Sequence, residues 1–411
     1  MKINDNWFVK RFKRTGNFLE TSYKCARNTF IKTTRKTITL TDNKDYLEFI
    51  SCSYLGLHND KEIINAIKNS TDLDLQGFLF SSSRTRAVSQ LENSVLEKLS
   101  KIFYPYLPLL FQNLHTAHLG VIPLLVSQIF PKMRTDKKIH CILDKHSHQS
   151  LKILQGIIKQ FCDIEVLDTS NIYELDLYME KISLDDKTPF IIMDSVGSMG
   201  KIYPIKDIVK LVDKYEGYVY FDDAHGMSIT GKHGSGYVMQ ELNYKLNERV
   251  FISTSLTKGF GGQGGIILMP YIEQIHFLLQ YCTTYTFSGP LSIPTLEVIN
   301  KSCDIHLSKK IDLLQQKLRN NLEYFDHQIT NVKLNKLRNS FLPFRIIYIG
   351  NEDDAIKYYK ILKTSGILVT CAVYPVVEKS QAILRITFSA THELDEIKLL
   401  AENLKKYLKE L

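Results

Sequence analysis

Two segments of the chain hold side chains whose types and spacing can do chemistry. They are Phe221-Asp-Asp-Ala-His-Gly226 and Ser253-Thr-Ser-Leu-Thr-Lys-Gly-Phe-Gly-Gly-Gln-Gly-Gly265. The apolar run Tyr218–Phe221 predicts a buried strand that ends in Asp222, with His225 three residues on. The run Val250–Ile252 predicts a second strand, ending in hydroxyl residues, Lys258 and a glycine-rich turn. A carboxylate, an imidazole, a lysine and phosphate-sized loops at neighbouring strand ends are the parts of a pyridoxal phosphate site. Such a site needs a lysine that forms a Schiff base and a carboxylate that keeps the pyridine nitrogen protonated. The cofactor would confine the chemistry to carbanion reactions of amino acids.

Each residue has a plainer reading beside this one. A lysine among glycines is ordinarily a surface lysine, but Ser255 and Thr257 flank Lys258 with hydroxyls that can hold a phosphate while the amine forms an imine. Asp222 could merely cap the next turn. A buried acid after Tyr-Val-Tyr-Phe is costly without a cationic partner, which favours the functional reading. Asp223 is the solvated or structural neighbour. His225 could reach the cofactor's phenolic oxygen or stabilise a substrate carbonyl oxygen; alone, a turn histidine is more often structural.

The elements that must position these residues follow from the hydrophobic pattern. Strand candidates are Leu107–Phe111, His140–Leu143, Ile164–Leu167, Phe190–Met193, Tyr218–Phe221, Val250–Ile252 and Gly265–Met269, alternating with helical patterns such as that of residues 205–215. Near-continuous apolar strands alternating with helices predict an α/β fold, a mostly parallel sheet between helices. Ligand sites in such sheets lie at the carboxyl ends of the strands, where Asp222 and Lys258 fall. Before this region come a strand-like stretch Thr37–Leu40, a turn at Asp42-Asn-Lys44, Tyr46–Ser51 and Tyr54-Leu-Gly-Leu57. After it, a long helix over 294–325 leads into a smaller α+β domain with strands near Phe344–Ile349, Ile367–Val373 and Ile383–Ser389. The expected division is a basic arm over 1–45, a large domain over 46–293 and a small C-terminal domain over 294–411.

Composition bounds the rest. With 44% hydrophobic and 23% charged residues over 411, the chain is an ordinary globular one with ample core. No apolar run reaches the ~20 residues that span a bilayer, and the first residues lack the apolar centre of a secretory signal. Seven scattered cysteines without a CxxC pair argue against a disulfide framework or a zinc site and for a reducing cytosol, so a cytoplasmic location is expected, with no metal. Residues 1–40 hold ten Lys/Arg against Asp5 and Glu20, which accounts for the whole net charge of +8. Such an arm could meet coenzyme A, an acyl carrier protein or an anionic membrane, or lie solvated on a dimer partner. No nucleic-acid-binding signature is present.

Read in order, the motifs resemble the α-oxoamine synthase family of fold-type I pyridoxal phosphate enzymes. The resemblance runs over most of 46–395, through Tyr54-Leu-Gly-Leu57, Asp144-Lys-His-Ser-His-Gln-Ser150 (the family's DxxSHxS) and Ser195-Val-Gly-Ser198-Met-Gly200. It continues through Asp222-Asp-Ala-His-Gly226, Thr257-Lys258 and Leu384-Arg-Ile-Thr-Phe-Ser389. Three segments depart from the family's pattern. Its glycine-rich stretch is here a shortened Phe80–Ser89, its SG(F/Y)xAN loop is Asn113-Leu-His-Thr-Ala-His118, and its asparagine before YLGL is Cys52.

The resemblance implies roles by position. His148 would stack on the pyridine ring, and Ser198 would join His225 near the phenolic oxygen. Ser255, Thr257 and the backbone amides of Leu114 and His115 would bind phosphate, Lys258 would hold the cofactor and shuttle the proton, and Arg385 would hold the amino acid's carboxylate. Ser288 would reach the phosphate of the neighbouring subunit, which implies a homodimer. The implied activity is condensation of a small amino acid with an acyl thioester, of coenzyme A or a carrier protein, with decarboxylation to an α-aminoketone. An aminotransferase or decarboxylase on the same scaffold is the alternative. An inactive regulatory subunit is disfavoured because Lys258, Asp222 and His225 are all present.

Overall fold

The computed structural model describes residues 27–34, 37–70, 84, 86–133, 135–329, 340–374 and 376–407. Most of the basic arm (1–26, 35–36) and the core of the shortened glycine-rich stretch (80–83, 85) lie outside the described residues. The chain divides into two compact units, one of residues 57–315 and one of residues 1–56 with 316–411. The sequence reading places its boundaries at 45/46 and 293/294 instead.

The 57–315 unit is built on a seven-stranded sheet. Its strands are β4 (Leu107–Phe111), β5 (Lys138–Asp144), β6 (Asp163–Leu167), β7 (Lys187–Asp194), β8 (Tyr218–Asp222), β9 (Val250–Ser255) and β10 (Gly265–Met269), in the order β4-β10-β9-β8-β7-β5-β6. The pairs from β9 to β6 are parallel; β10 runs antiparallel to both β9 and β4. The central strands are largely apolar up to their carboxyl ends because helices cover both faces of such a sheet. Phe190, Tyr218 and Phe251, on the three adjacent strands β7, β8 and β9, stack with ring centroids 6.1–6.5 Å apart. Each such fully buried aromatic contributes roughly 1.5–3 kcal/mol relative to exposure. Register then decides where chemistry can occur: Asp194 pairs with Asp222 and Asp222 with Ser253. The antiparallel β10 starts at this same edge, Gly265 facing Ser255 on one side and Phe111 on the other.

The other unit carries a six-stranded sheet of β1 (Phe30–Thr33), β2 (Thr37–Leu40), β3 (Asp45–Phe49), β11 (Phe344–Gly350), β12 (Ile367–Ala372) and β13 (Ala382–Thr387), in the order β1-β2-β3-β12-β13-β11. Only β3–β12 is parallel. That pairing draws the segment before Leu57 into the same unit as the last hundred residues. The turn between β2 and β3 follows its sequence signal, with Asn43 at φ 59° and Asp42 accepting from the Lys44 amide at 3.1 Å.

The long helix expected over 294–325 is two helices, Ile293–His306 and Lys310–Gln328. The ladder stops at His306, whose Nδ1 contacts the Ser302 carbonyl at 2.8 Å, while the Ser308 hydroxyl donates to the Ile305 carbonyl at 2.8 Å. Side chains that bond to their own helix carbonyls compete with the next turn. Among the described residues no helix is long and apolar enough to cross a membrane.

Candidate active site

Helix α1 (Leu114–Val126) and the single turn α2 (Gln149–Lys152) deliver residues to the polar edge of the seven-stranded sheet. There a cavity of about 280 Å³ is lined by Asn113, Leu114, His115, His148, Ser150, Asp194, Val196, Ser198, Asp222, Ala224, His225, Ser255, Thr257 and Lys258. All of these belong to the 57–315 unit. The fold therefore brings together every expected site residue except Ser288 and Arg385. It adds Asn113, Ser150, Asp194, Val196 and Ala224, which the sequence reading did not select.

Three strands end in aspartate at this edge, and their surroundings separate them. Asp144, at the end of β5, accepts from the His146 amide, from the Thr169 amide and hydroxyl, and from the Tyr203 hydroxyl at 2.6 Å. Its acceptor capacity is consumed by structure. Asp194, at the end of β7, accepts the His148 amide at 3.1–3.2 Å; burial first, and then the neighbouring Asp222 carboxylate, push its carboxyl well above the usual range. Asp222 accepts the Ala224 amide at 3.0 Å, and its other oxygen lies 3.7 Å from His118 Nε2. Burial holds His118 down to about 4, so that imidazole is neutral and supplies no cation to Asp222. The signal for Asp194 was present in the sequence: Ile-Ile-Met-Asp repeats the apolar-then-aspartate ending of the neighbouring strands.

Asp223 is not solvated. It is buried, accepts from the Ser195 hydroxyl and the Val238 amide, and burial raises it to about 7. A Cβ on Gly226 would sit 2.1 Å from its Oδ1, and one on Gly236 would sit 2.2 Å from its Oδ2. The glycine of Asp222-Asp-Ala-His-Gly226 is therefore there to admit a carboxylate. By clasping Asp223, this arrangement fixes the turn that presents Ala224 and His225 to the cavity.

The opposite wall has the donors of an anion site. Asn113 caps α1, its side chain accepting from the Thr116 amide at 2.9 Å and its carbonyl from the Ala117 amide at 3.2 Å. The Leu114 and His115 amides remain as first-turn donors with no acceptor inside the helix. Beside them the Ser255 and Thr257 hydroxyls are 2.7 Å apart. A helix N-terminus with two hydroxyls is a ready phosphate cradle. The approach is possible because position 265 is glycine: a Cβ there would lie 2.5 Å from the Leu114 nitrogen. A lysine, an anion cradle and a buried carboxylate on one cavity fit a phosphate-bearing pyridine aldehyde.

Arg385 belongs to the other unit, in the middle of β13. Its Nη2 lies 3.4 Å from the Tyr54 hydroxyl and 4.0 Å from Cys52 Sγ, and its guanidinium stacks 4.2 Å from the centroid of Phe344. Its Nε is buried without a hydrogen-bond partner, and among the described residues no carboxylate pairs with it. A structural strand-face ion pair is thereby excluded for the described residues. The Ser288 hydroxyl is also buried and unpartnered, and it does not line the cavity.

Comparison with known proteins agrees with this geometry. Residues 162–404 match the family described as aminotransferase class I and II. Among curated relatives, the chain is 27% identical to an 8-amino-7-oxononanoate synthase of Thermoanaerobacter pseudethanolicus over 90% of this chain and 89% of that one. It is 25% identical to a serine palmitoyltransferase of Sphingobacterium spiritivorum over 92% and 91%. A solved structure of serine palmitoyltransferase with PLP superposes with a TM-score of 0.83 at 16% identity, covering 98% of each chain. The chain belongs to the aminotransferase class I and II family, within its α-oxoamine synthase branch.

Proposed function

We propose that the protein is a pyridoxal phosphate-dependent acyltransferase that condenses a small amino acid with an acyl thioester and releases carbon dioxide, giving an α-aminoketone. The observation that carries this is the convergence of Asp222, His148, His225 and Lys258 with the Ser255–Thr257 hydroxyls and the α1 N-terminus on one cavity. A relative named serine palmitoyltransferase, and another named for making an amino-oxo acid, support the reaction class. When bound, pyridoxal phosphate supplies an aldehyde for amines and a ring that stores carbanion electrons.

The chain's own residues do the rest. Leu114, His115, Ser255 and Thr257 would bind the phosphate, and Asp222 would hold the proton on the ring nitrogen. His148 would cover the ring face; Ser198 and His225 would hold the phenolic oxygen. Lys258 Nζ would hold the aldehyde carbon and would take and return the α-proton of the amino acid. His225 then stabilises the oxygen of the new carbonyl. Arg385 receives the substrate carboxylate: a planar guanidinium with a buried, unpartnered Nε offers the two parallel donors that such a group takes. Ser288 serves the phosphate of a second subunit, so the working unit is a homodimer, which we place in the cytoplasm.

The experiment is purified protein loaded with pyridoxal phosphate, given single amino acids with and without a pool of acyl-coenzyme A. Thiol and carbon dioxide released together, for one amino acid, support the reading. Pyridoxamine phosphate formed without thioester would make the protein an aminotransferase. Carbon dioxide without thiol release would make it a decarboxylase. Failure to retain the cofactor would overturn the reading altogether.

A further inference from the structure

His118 closes the Asn113-Leu-His-Thr-Ala-His118 segment, and the sequence reading gave it no role. It sits on the second turn of α1 among Leu114, Ala117 and Val121, a position that periodicity assigns to core. The family pattern that this segment resembles ends in asparagine there. The side chain is fully buried, yet both ring nitrogens have partners. Nε2 lies 3.1 Å from the Ser253 hydroxyl and 3.7 Å from Asp222 Oδ2, and Nδ1 lies 3.2 Å from the Ser150 hydroxyl. That hydroxyl is in turn 2.7 Å from His148 Nδ1. A continuous polar chain therefore runs Asp222–His118–Ser150–His148 beneath the cavity floor, linking the carboxylate that would face the pyridine nitrogen to the imidazole that would cover the ring.

We propose that His118 is a positioning residue that transmits the charge of Asp222 to the tautomer and orientation of His148. A carboxylate at Asp222 only accepts, so it favours the hydrogen of His118 on Nε2. The Ser253 hydroxyl completes that arrangement, since it can accept from Nε2 while donating to the Phe221 carbonyl at 3.3 Å. Being neutral, with burial holding it down to about 4, His118 carries one ring proton and must then accept at Nδ1. The Ser150 hydroxyl donates there, and its lone pair takes the hydrogen of His148 Nδ1. The side-chain bonds of the chain then all point one way and hold His148 as the Nδ1–H tautomer, against the Ser150 amide, which points at the same nitrogen from 3.3 Å. Were Asp222 to lose its charge, the chain could reverse, with His148 Nδ1 accepting from both the Ser150 hydroxyl and its amide at 3.3 Å. The titratable groups that act on His118 are Asp222, His148, His115 on its own helix and Lys258.

The inference rests on the proposed function for its purpose, but its test does not need the cofactor. Nitrogen NMR of histidine-labelled apoprotein reads the His148 tautomer in wild type, His118→Leu and Ser150→Ala. Wild type should show Nδ1–H; both variants should shift His148 toward the Nε2–H form that a free imidazole prefers. With the cofactor, His118→Leu should weaken pyridoxal phosphate binding by up to about tenfold, because Asp222 loses the polar neighbour whose Nε2 lies 3.7 Å from it. It should also displace the acidic limb of the kcat/KM profile, a readout that a packing role would leave in place. If the folded variants keep the wild-type His148 signals and pH profile, the inference is wrong. If His118→Leu does not fold, Ser150→Ala alone decides it, since the chain is cut between the two imidazoles. A wild-type protein that binds no pyridoxal phosphate overturns the functional reading and leaves the NMR outcome to judge this one.

Discussion

At the scale of single residues, environment rather than identity distinguishes three aspartates that look alike in sequence. Asp144 is spent on structural donors, Asp194 is pushed toward its neutral form, and Asp222 faces the cavity. Asp222→Asn keeps shape and removes charge. It should lower kcat/KM by on the order of 10²-fold or more, the usual scale for losing a preorganised electrostatic partner, with folding intact by circular dichroism. Asp223 makes a second prediction. Its ordinary value is 3.8, and in the folded protein burial raises it to about 7. Between those values the folded state holds a proton that the unfolded chain has released, so this group stabilises the protein below its ordinary value. That contribution is lost as pH rises toward about 7. Asp194, shifted in the same direction, adds to the trend. Midpoints of thermal unfolding measured across that window should fall with pH on account of these groups, and Asp223→Asn should flatten the slope. An unchanged slope would mean that Asp223 is ionised when folded.

At the scale of elements, the strands were legible because apolar runs of four to seven residues, bounded by polar or glycine positions, have few other uses. Thr37–Leu40, Leu107–Phe111 and Gly265–Met269 appear with the expected bounds, and the others differ by a few residues at their ends. β1 escaped notice because Phe30–Thr33 is exposed along its whole length and so carries no in–out alternation. The break after His306 escaped because it depends on side-chain bonds to carbonyls one turn back, not on a proline or glycine. The meeting of α1 with the start of β10 makes the element-scale prediction. Gly265→Ala should force the Leu114 amide away, since the new Cβ would lie 2.5 Å from it. The expected result is at least a tenfold loss of pyridoxal phosphate affinity, about 1.4 kcal/mol, measured by fluorescence titration. Affinity equal to wild type would remove α1 from the phosphate site.

At the scale of the whole molecule, the unit of residues 1–56 and 316–411 is held by a feature that no motif announced. Arg345, among the largest fully buried side chains, makes a two-pronged bond to Asp326 with both distances 2.7 Å. Removing one partner strands a buried charge, so Asp326→Ala should cost about 3–5 kcal/mol, read from urea unfolding of the full chain. A loss below about 1 kcal/mol would show that water reaches the guanidinium. The sequence by itself determined the α/β class, most strands, the order of the motifs and the identity of the lysine, aspartate and histidine at the strand ends. These follow from local patterns: apolar runs, glycine turns and polar residues where a strand must stop. Only the tertiary structure decided that Asp194 joins Asp222 at the cavity, why Gly226 and Gly265 must be glycine, and that β3 joins the C-terminal strands. The same holds for His118, a core position by periodicity whose two nitrogens tie together residues 148, 150, 222 and 253. Those choices depend on strand register and on distances between segments far apart in the chain, which no local pattern encodes.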